Sequence, residues 1–342
     1  MYDVRQSHTA SILSNGKILV VAGVKDYNKV LNGTELYDPS TKTWNMSGRL
    51  NYGRASHAVS ILTNGKILVT GGLNRNIACL DSVELYDPTT GVWSTINTMI
   101  YARSDHTASL LTNGKILVVG GSSGPGEFLE SAELYDPVTG LWNRTGNMLE
   151  ARRKHTASLL TNGKILVTGG RNYRSDYLNS AELYDPSTGI WTTVGQMAIG
   201  RQDHTASVLT NGKILITGGD HDLSVSSAEL YDPSTGNWTI TGSLNDLRTH
   251  HQACVLKNGK VLVTGGSSPD GVLNSTELYD PSTGTWMNRD NMITARLEHT
   301  ASVLNDGKVL VAGGANANRW YNSAELYDSS TDTWTAINHT LM

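Results

Sequence analysis

Seven tryptophans recur at an almost constant interval along the chain of 342 residues. Consecutive tryptophans are 49, 49, 49, 47, 48 and 48 residues apart. A period near fifty residues, with strand and turn signals inside each unit, is typical of a propeller or a repeat array. Every unit carries the pattern and no linker interrupts it, so we expect residues 1–342 to form a single domain of seven repeats. The tryptophans are Trp44, Trp93, Trp142, Trp191, Trp238, Trp286 and Trp334.

Each repeat contains four strand signals, which we name A to D. In the second repeat, strand A is predicted over residues 57–62, and an apolar run at 66–70 gives strand B. The Asn64-Gly65 pair between them predicts a two-residue turn with positive φ at both positions. Strand C is predicted over residues 83–87. An Asp-Pro-x-x-Gly turn then leads into strand D, which ends the repeat.

A single sheet of this kind has two apolar faces and cannot bury both. Seven such sheets packed radially bury them all, and the ring leaves only short edges. The sequence therefore predicts an all-β fold, a seven-bladed β-propeller with four antiparallel strands per blade. Because each repeat reads as a contiguous A-B-C-D unit, we expect the first blade to pack against the last without a shared strand.

The order of glycine, tyrosine and tryptophan in these repeats resembles the Kelch motif. In the second repeat, Gly71-Gly72 is followed fourteen residues later by Tyr86, and Trp93 comes seven residues after the tyrosine. The resemblance covers all seven repeats, with two departures, Ala22-Gly23 in the first and Asp328-Ser329 in the last. It implies a Kelch-repeat β-propeller that serves as a binding module for protein-protein interaction.

Composition removes several classes of function. The net charge is -4, so nothing in the charge balance favours binding to nucleic acid. No apolar run approaches the 18 residues that a membrane-spanning helix needs, and we expect no membrane insertion. Cys79 and Cys254 occupy non-equivalent positions of different repeats, which predicts two free thiols.

Sequence variation is concentrated on one predicted face of the disc. The A-B and C-D turns are nearly identical in every repeat, whereas the B-C stretches differ in length and sequence. Loops on a rigid scaffold are where recognition concentrates. We therefore predict binding at the B-C and D-A loops around the mouth of the central channel.

Aromatic and arginine side chains in the B-C loops are candidate contacts, because both are enriched at binding hot spots. The strongest candidates are Tyr173-Arg174 and Arg319-Trp320-Tyr321. Alternatively, these rings fold back over the edges of their own sheets. The aromatic candidates are Tyr27, Phe128, Tyr173, Tyr177, Trp320 and Tyr321.

An arginine precedes strand A in every repeat, and two interpretations remain open. In Kelch substrate adaptors of ubiquitin ligases, arginines at matching positions contact acidic peptides, so the resemblance implies a positive ring that binds a carboxylate. Alternatively, each arginine pairs with the glutamate at the start of strand C, reached across the Gly-Gly pair. Arg153 makes the fourth repeat the most basic corner. The arginines are Arg5, Arg54, Arg103, Arg152, Arg201, Arg248 and Arg296, and the glutamates are Glu35, Glu84, Glu133, Glu182, Glu229, Glu277 and Glu325.

Two further sets of residues follow each arginine. The position two residues later differs between repeats and carries Ser7, Ser56, Asp105, Lys154, Asp203, His250 and Glu298. A histidine comes next, at 8, 57, 106, 155, 204, 251 and 299. Seven equivalent histidines around a wide channel do not converge on one ion, so we expect hydrogen-bonded structural histidines and no metal.

These features favour a non-catalytic module without a cofactor, whose partner is a protein or peptide, acidic segments included. The alternative is a glycan-binding propeller or a galactose-oxidase-like enzyme that uses the same pocket. Glycan binding would rely on stacking by Trp320 and Tyr177. Copper radical oxidases resemble this class of propeller but need a Cys-Tyr cross-link and a Tyr-His pair, and the sequence has no Tyr-His dipeptide.

Overall fold

The chain folds into seven four-stranded antiparallel sheets arranged as a seven-bladed β-propeller. This computed structural model describes residues 1–26, 29–74, 78–173, 177–221 and 223–337, with Leu223 and Ser224 described by their backbone alone. Those residues contain strands and turns but no helix. Each sheet is built from one repeat in the order A-B-C-D, so the predicted fold, with contiguous blades, is confirmed.

The two inner strands of each blade are short. Neighbouring A strands contact one another around the ring and surround the channel. The B strands are completely buried, as their unbroken apolar sequences indicate. The A strands are Thr9–Ile12, Ala58–Ile61, Thr107–Leu110, Thr156–Leu159, Thr205–Val208, Gln252–Val255 and Thr300–Val303. The B strands are Ile18–Val21, Ile67–Thr70, Ile116–Val119, Ile165–Thr168, Ile214–Thr217, Val261–Thr264 and Val309–Ala312.

The two outer strands carry the Tyr-Trp pair of the repeat. In blade 2, Tyr86 of strand C is directly opposite Trp93 of strand D, and their ring centroids are 5.0 Å apart. The C strands are Gly33–Asp38, Val83–Asp87, Ala132–Asp136, Ala181–Asp185, Ala228–Asp232, Thr276–Asp280 and Ala324–Asp328. The D strands are Thr43–Arg49, Val92–Ile96, Leu141–Arg144, Ile190–Val194, Asn237–Ile240, Thr285–Arg289 and Thr333–Ile337.

The A-B turn differs from its prediction. In the A-B turn of blade 2, Gly65 has positive φ, at +79°, and Asn64 does not. The turn contains three residues, because the Leu62 N–H donates to the Lys66 carbonyl and the Gly65 N–H donates to the Leu62 carbonyl. The Asn64 side chain accepts the Lys66 N–H at 3.1 Å. The expected two-residue turn is therefore wrong, and the observed loop is a type I turn closed by a left-handed glycine.

The hydrophobic core of the described residues is divided into seven clusters that lie between blades. One cluster joins Leu19 and Val21 of blade 1 to Ile67, Tyr86 and Trp93 of blade 2. Six of the seven repeat tryptophans also donate a hydrogen bond to the preceding blade. The indole N–H of Trp191, for example, donates to the Gly146 carbonyl of the preceding blade at 2.7 Å. Each blade is thus stable only against its neighbours, as expected for a repeat architecture.

The ring closes between blades 7 and 1 through the contacts that join the other blades. Met1 and Tyr37 share a core cluster with Leu310 of blade 7. The Gly314 N–H donates to the Arg5 carbonyl at 2.8 Å, as the Gly23 N–H donates to the Arg54 carbonyl one interface further on. Within residues 1–337 as described, no strand is shared between the first and the last blade, as predicted.

The B-C and D-A loops lie on the same face, which we call the loop face. In blade 1 the N–H groups of Leu50 and Arg54, which belong to a D-A loop, donate to the carbonyls of Asn32 and Leu31. The A-B and C-D turns lie on the opposite turn face. Four B-C loops form two-stranded ribbons, at Val24–Asp26 with Lys29–Val30, Ser122–Gly124 with Glu127–Phe128, Asp220–His221 with Leu223–Ser224, and Ser267–Ser268 with Gly271–Val272. Across the described residues, no helix is long and apolar enough to cross a membrane.

Candidate binding face around the channel mouth

A fully buried ion pair lies beneath the loop face in every blade. All seven arginines that precede strand A are 0% exposed. Each places one guanidinium nitrogen 2.6–3.0 Å from the glutamate of strand C in its own blade. The other nitrogen donates to the carbonyl of the first residue of the Gly-Gly pair, for example from Arg54 to Gly71 at 2.7 Å. The arginine therefore crosses strand B where glycines leave the gap open.

The glutamate of each pair also holds a D-A loop. Glu84 accepts the backbone N–H groups of Asn51 and Tyr52 at 2.7 and 3.2 Å, in the loop that enters blade 2. The same two bonds recur in the other six blades. The ion pair thus fixes the backbone of every D-A loop, because charge-assisted hydrogen bonds are among the stronger ones.

The structure corrects the expectation of an open arginine ring. Arg5, Arg54, Arg103, Arg152, Arg201, Arg248 and Arg296 do not reach solvent, and each is neutralised by its glutamate. Burial of an unpaired guanidinium would be very unfavourable, which is why the pairing prevails. The seven arginines instead follow the alternative interpretation, in which each pairs with the strand C glutamate across the Gly-Gly pair.

The seven histidines join adjacent blades. His57 shares a hydrogen bond of 2.9 Å with Thr9 of the preceding blade, and His155 shares one of 3.0 Å with Thr107. Burial, followed by the nearby Arg54, lowers the pKa of His57 to about 3. Burial likewise lowers the pKa of His155, His204 and His299 to about 3. These side chains are therefore neutral at physiological pH and serve as structural links.

A collar of seven left-handed residues surrounds the channel mouth. It consists of the variable residues two positions after each arginine, and their φ angles lie between +49° and +54°. Backbone hydrogen bonds link consecutive members, such as the Lys154 N–H to the Asp105 carbonyl at 3.0 Å. Non-glycine residues in this conformation are strained, and such strain is common at functional sites. The collar residues are Ser7, Ser56, Asp105, Lys154, Asp203, His250 and Glu298.

The collar is charged unevenly. It carries three carboxylates, and Lys154 pairs with Asp203 at 2.8 Å. His250 lies 3.4 Å from the Asp203 carboxylate. Burial raises the pKa of Asp105. Burial alone would lower the pKa of Lys154, but the Asp203 carboxylate raises it above its usual value. The collar residues therefore bind mainly one another, around a mouth of about 270 Å³.

The D-A loops present apolar side chains that sequence reasoning missed. Leu149 is 67% exposed, Ile293 is 61% exposed and Tyr52 is 50% exposed. Each follows the buried Met or Leu of the D-A loop by one or two residues, close to the backbone that the glutamate holds. That Met or Leu stands four residues before the arginine, so the sequence signal that would have found them is a large apolar residue between the two. Further members are Tyr2, Ile100 and Leu247.

The predicted aromatic contacts differ in exposure. Tyr173 is 82% exposed and lines a cleft between blades 3 and 4 together with Phe128. Tyr177 lines a neighbouring cleft between blades 4 and 5, where its hydroxyl donates to Asp220 at 3.3 Å and its ring packs near His221. Among the aromatic candidates that the structure describes, Tyr173 is therefore the ring most open to a ligand.

The Arg319-Trp320-Tyr321 segment is only partly available. Tyr321 is buried, with the guanidinium carbons of Arg296 and Arg319 5.4 and 5.0 Å from its ring centroid. Trp320 is half-buried, and Arg319 is exposed. The idea that the aromatic rings fold back over the sheet therefore applies to Tyr321.

Three other candidates remain from the sequence. Arg153 is half-buried, 3.7 Å from Asp105 and 5.2 Å from the Phe128 ring centroid. Arg174 and Tyr27 lie outside the described residues.

The described residues do not provide a metal site. None of them forms a group of three or more His, Cys, Asp or Glu side chains that could hold a metal ion. Cys254 is buried, Cys79 is half-buried, and both are free thiols. Burial raises the pKa of Cys254 to about 12, so it is not a thiolate ligand at neutral pH. The part of the chain that the structure describes therefore does not fit the copper site of a radical oxidase.

The fold and the repeated Arg, Gly-Gly, Tyr and Trp residues define a Kelch-type propeller. The profile of the KLHDC2/KLHL20/DRC7 Kelch-repeats domain matches residues 97–242 and 204–341, and that of the Kelch motif matches residues 7–51 and 54–100. The chain belongs to the Kelch-repeat family. Kelch domains commonly act as protein-interaction modules. No curated protein matches the sequence significantly.

A solved structure of similar fold is a fungal alcohol oxidase of the AA5 family in complex with copper. The similarity has a TM-score of 0.78 at 20% sequence identity, and it covers 96% of this chain and 76% of the oxidase chain. At this identity the likeness shows the fold alone.

Proposed function

We propose that this protein is a binding module that recognises a segment of a protein partner on its loop face, through the B-C and D-A loops around the channel mouth. One observation carries the proposal: seven buried Arg-Glu pairs hold the six D-A loops and the equivalent N-terminal segment through the same two backbone hydrogen bonds, and these segments display unlike side chains. The first two displayed D-A residues are Ile100 and Tyr101 in blade 3 but Asn245 and Asp246 in blade 6.

The energetic argument is preorganisation. A loop that is fixed before binding loses little conformational entropy when it meets a partner, so more of the contact energy appears as affinity. Each D-A loop is fixed by two backbone bonds to a buried carboxylate, which is itself held by a buried guanidinium. Exposed apolar side chains on a rigid base are the elements from which binding hot spots are built.

The buried arginines do not support the expectation of an acidic partner. That expectation required open arginines, and the seven arginines are buried and neutralised. The channel mouth carries the three collar carboxylates instead. The proposed partner is therefore a protein segment chosen by the exposed loop side chains.

Site-specific photo-crosslinking tests the proposal. A benzophenone side chain placed at Tyr52 or Ile293 on the loop face should crosslink a partner in extracts of the native source. The same group at Val92 or Val138 on the turn face, which are 58% and 94% exposed, is the matched control. Adducts from the loop face alone support the proposal, and adducts from the turn face alone contradict it. A glycan array probed with the purified protein tests the alternative ligand class.

A further inference from the structure

The cleft between blades 3 and 4 combines an apolar floor with an acidic rim. It encloses about 780 Å³ on the loop face. The B-C loop of blade 3 supplies one wall, the D-A loop at 149–151 supplies the second, and Asn172 and Tyr173 of blade 4 supply the third. The cleft is distinct from the collar.

The floor is an exposed apolar surface. Phe128 is half-buried, Leu149 is 67% exposed and Tyr173 is 82% exposed. Three large apolar side chains around one concave site are unusual on a solvent-exposed face, and burial of such side chains drives association.

The rim is negatively charged. Glu127, Glu130 and Glu150 line the cleft, and no cationic side chain lines it among the described residues. Glu150 lies 3.4 Å from the buried Arg152, so part of its charge is offset. Within the described part of the chain, neither Glu127 nor Glu130 has a cation within ion-pair distance.

The loop face already stacks guanidinium groups on its aromatic rings. The guanidinium carbon of Arg153 is 5.2 Å from the Phe128 ring centroid, and that of Arg144 is 5.2 Å from the ring centroid of Tyr101. Cation-π contacts of this length are favourable. Tyr173, which is exposed beside the glutamates, offers the same surface to an arginine from outside.

We propose that this cleft binds a basic segment of a protein partner in which an arginine or lysine stands next to an apolar or aromatic side chain. The cation pairs with Glu127 and Glu130 and stacks on Tyr173, while the apolar side chain packs against Phe128 and Leu149. The inference rests on the proposed function and specifies the chemistry of the partner. The proposed partner segment is therefore basic, in contrast to the acidic segment expected from the sequence.

Peptide selection tests the inference. Random 12-residue peptides displayed on phage are selected against the full chain, and the affinities of recovered peptides are measured by fluorescence anisotropy. Selected peptides should carry Arg or Lys within a few residues of Trp, Phe or Leu. Glu130→Lys and Tyr173→Ala should each weaken their binding about tenfold, the effect of losing a favourable charge or a hot-spot ring. Their binding should also weaken as salt increases.

The controls place matched changes on the turn face. Asp306→Lys reverses a charge there, and Val138→Ala removes an exposed apolar side chain; both should leave affinity unchanged. Selection of acidic peptides, of peptides without cations, or of none overturns the inference. So do basic peptides whose affinity neither cleft variant changes.

The two proposals fail differently. Peptides that crosslink at the Tyr52 or Ile293 sites but bind both cleft variants as tightly as wild type refute the cleft proposal. They leave the proposed loop-face function standing. Peptides that crosslink only to Val92 or Val138 sites refute both.

Discussion

The guanidinium of Arg54 lies 2.8 Å from the carboxylate of Glu84, and neither side chain is exposed to solvent. Because Glu84 also accepts the N–H groups of Asn51 and Tyr52, this pair joins the segment before strand A, strand C and the incoming D-A loop. The scaffold and the candidate binding surface are therefore one hydrogen-bonded unit in blade 2, and the same holds in each other blade.

Removal of one partner of this pair should destabilise the protein strongly. We expect Glu84→Ala to lower the free energy of unfolding by about 3–5 kcal/mol, because it leaves a buried charge without a partner. Arg54→Met/Glu84→Leu removes both charges and should recover part of the loss. The double variant should still be about 2 kcal/mol less stable than wild type, since the N–H groups of Asn51 and Tyr52 lose their acceptor. Denaturant unfolding measures the free energy of unfolding of both variants. An unchanged free energy in Glu84→Ala would contradict the structural role of the pair.

Acid should destabilise the fold through the histidines. Burial holds the folded pKa of His57 near 3, below an ordinary value of 6.5, so the unfolded chain binds a proton that the folded chain does not. Stability is then complete above pH 6.5 and falls as the pH drops from 6.5 towards 3. Each such histidine contributes about 1.4 kcal/mol per pH unit in that window.

A single substitution isolates one histidine. His57→Gln should reduce the pH dependence of stability by about one proton between pH 4 and 6. His221→Gln, on the exposed ribbon of blade 5, controls for loss of a histidine. Denaturant unfolding across this pH range gives the slope, and an unchanged slope in His57→Gln would show that this ring also takes up a proton in the folded state.

The departure of the first repeat from Gly-Gly gives a paired prediction. Ala22 has φ +56°, a left-handed conformation that is strained for alanine. Ala22→Gly should raise stability by up to about 1 kcal/mol. Gly71→Ala, at the equivalent position of blade 2, should lower stability by about 2 kcal/mol or more, because its Cβ would overlap the Arg103 carbonyl oxygen. Melting temperatures compare the two variants, and a stabilising Gly71→Ala would contradict the packing.

The sequence could predict the blade architecture because it repeats. Seven copies of one pattern indicate the order of the strands and the face of the disc on which each loop lies. The Gly71-Gly72 pair, which lacks side chains, indicates where Arg54 could reach across strand B to Glu84. The turn at Asn64-Gly65 was predicted wrongly, since the Asn-Gly pair suits either a two-residue or a three-residue hairpin and the pattern does not distinguish them.

Contacts between blades could not be predicted. Nothing in the sequence says that His57 meets Thr9 of the preceding blade, because the relative height of neighbouring sheets is set by packing. The left-handed φ of Lys154 and Glu298 could not be predicted from the sequence either, since neither residue type favours this conformation. The exposed D-A side chains were missed because the loop path depends on bonds to a buried carboxylate.

Copper binding separates the module from an oxidase. We expect the purified protein, exposed to Cu²⁺ and desalted, to retain well below one copper per chain, because the described residues provide no cluster of three ligands. Elemental analysis measures the ratio. One tightly held copper per chain would contradict the expectation.

Affinity variants on the two faces test the central claim most directly. One variant carries Tyr52→Ala, Leu149→Ala and Ile293→Ala on the loop face, and the other carries Val92→Ala, Val138→Ala and Ile190→Ala on the turn face; all six side chains are at least half exposed. Their affinities are compared for a partner or peptide that binds the wild-type chain, with melting temperature as the control for folding. The account predicts that the loop-face variant binds more than about tenfold more weakly while the turn-face variant binds like wild type. A loop-face variant that binds normally, with the loss confined to the turn-face variant, would contradict it.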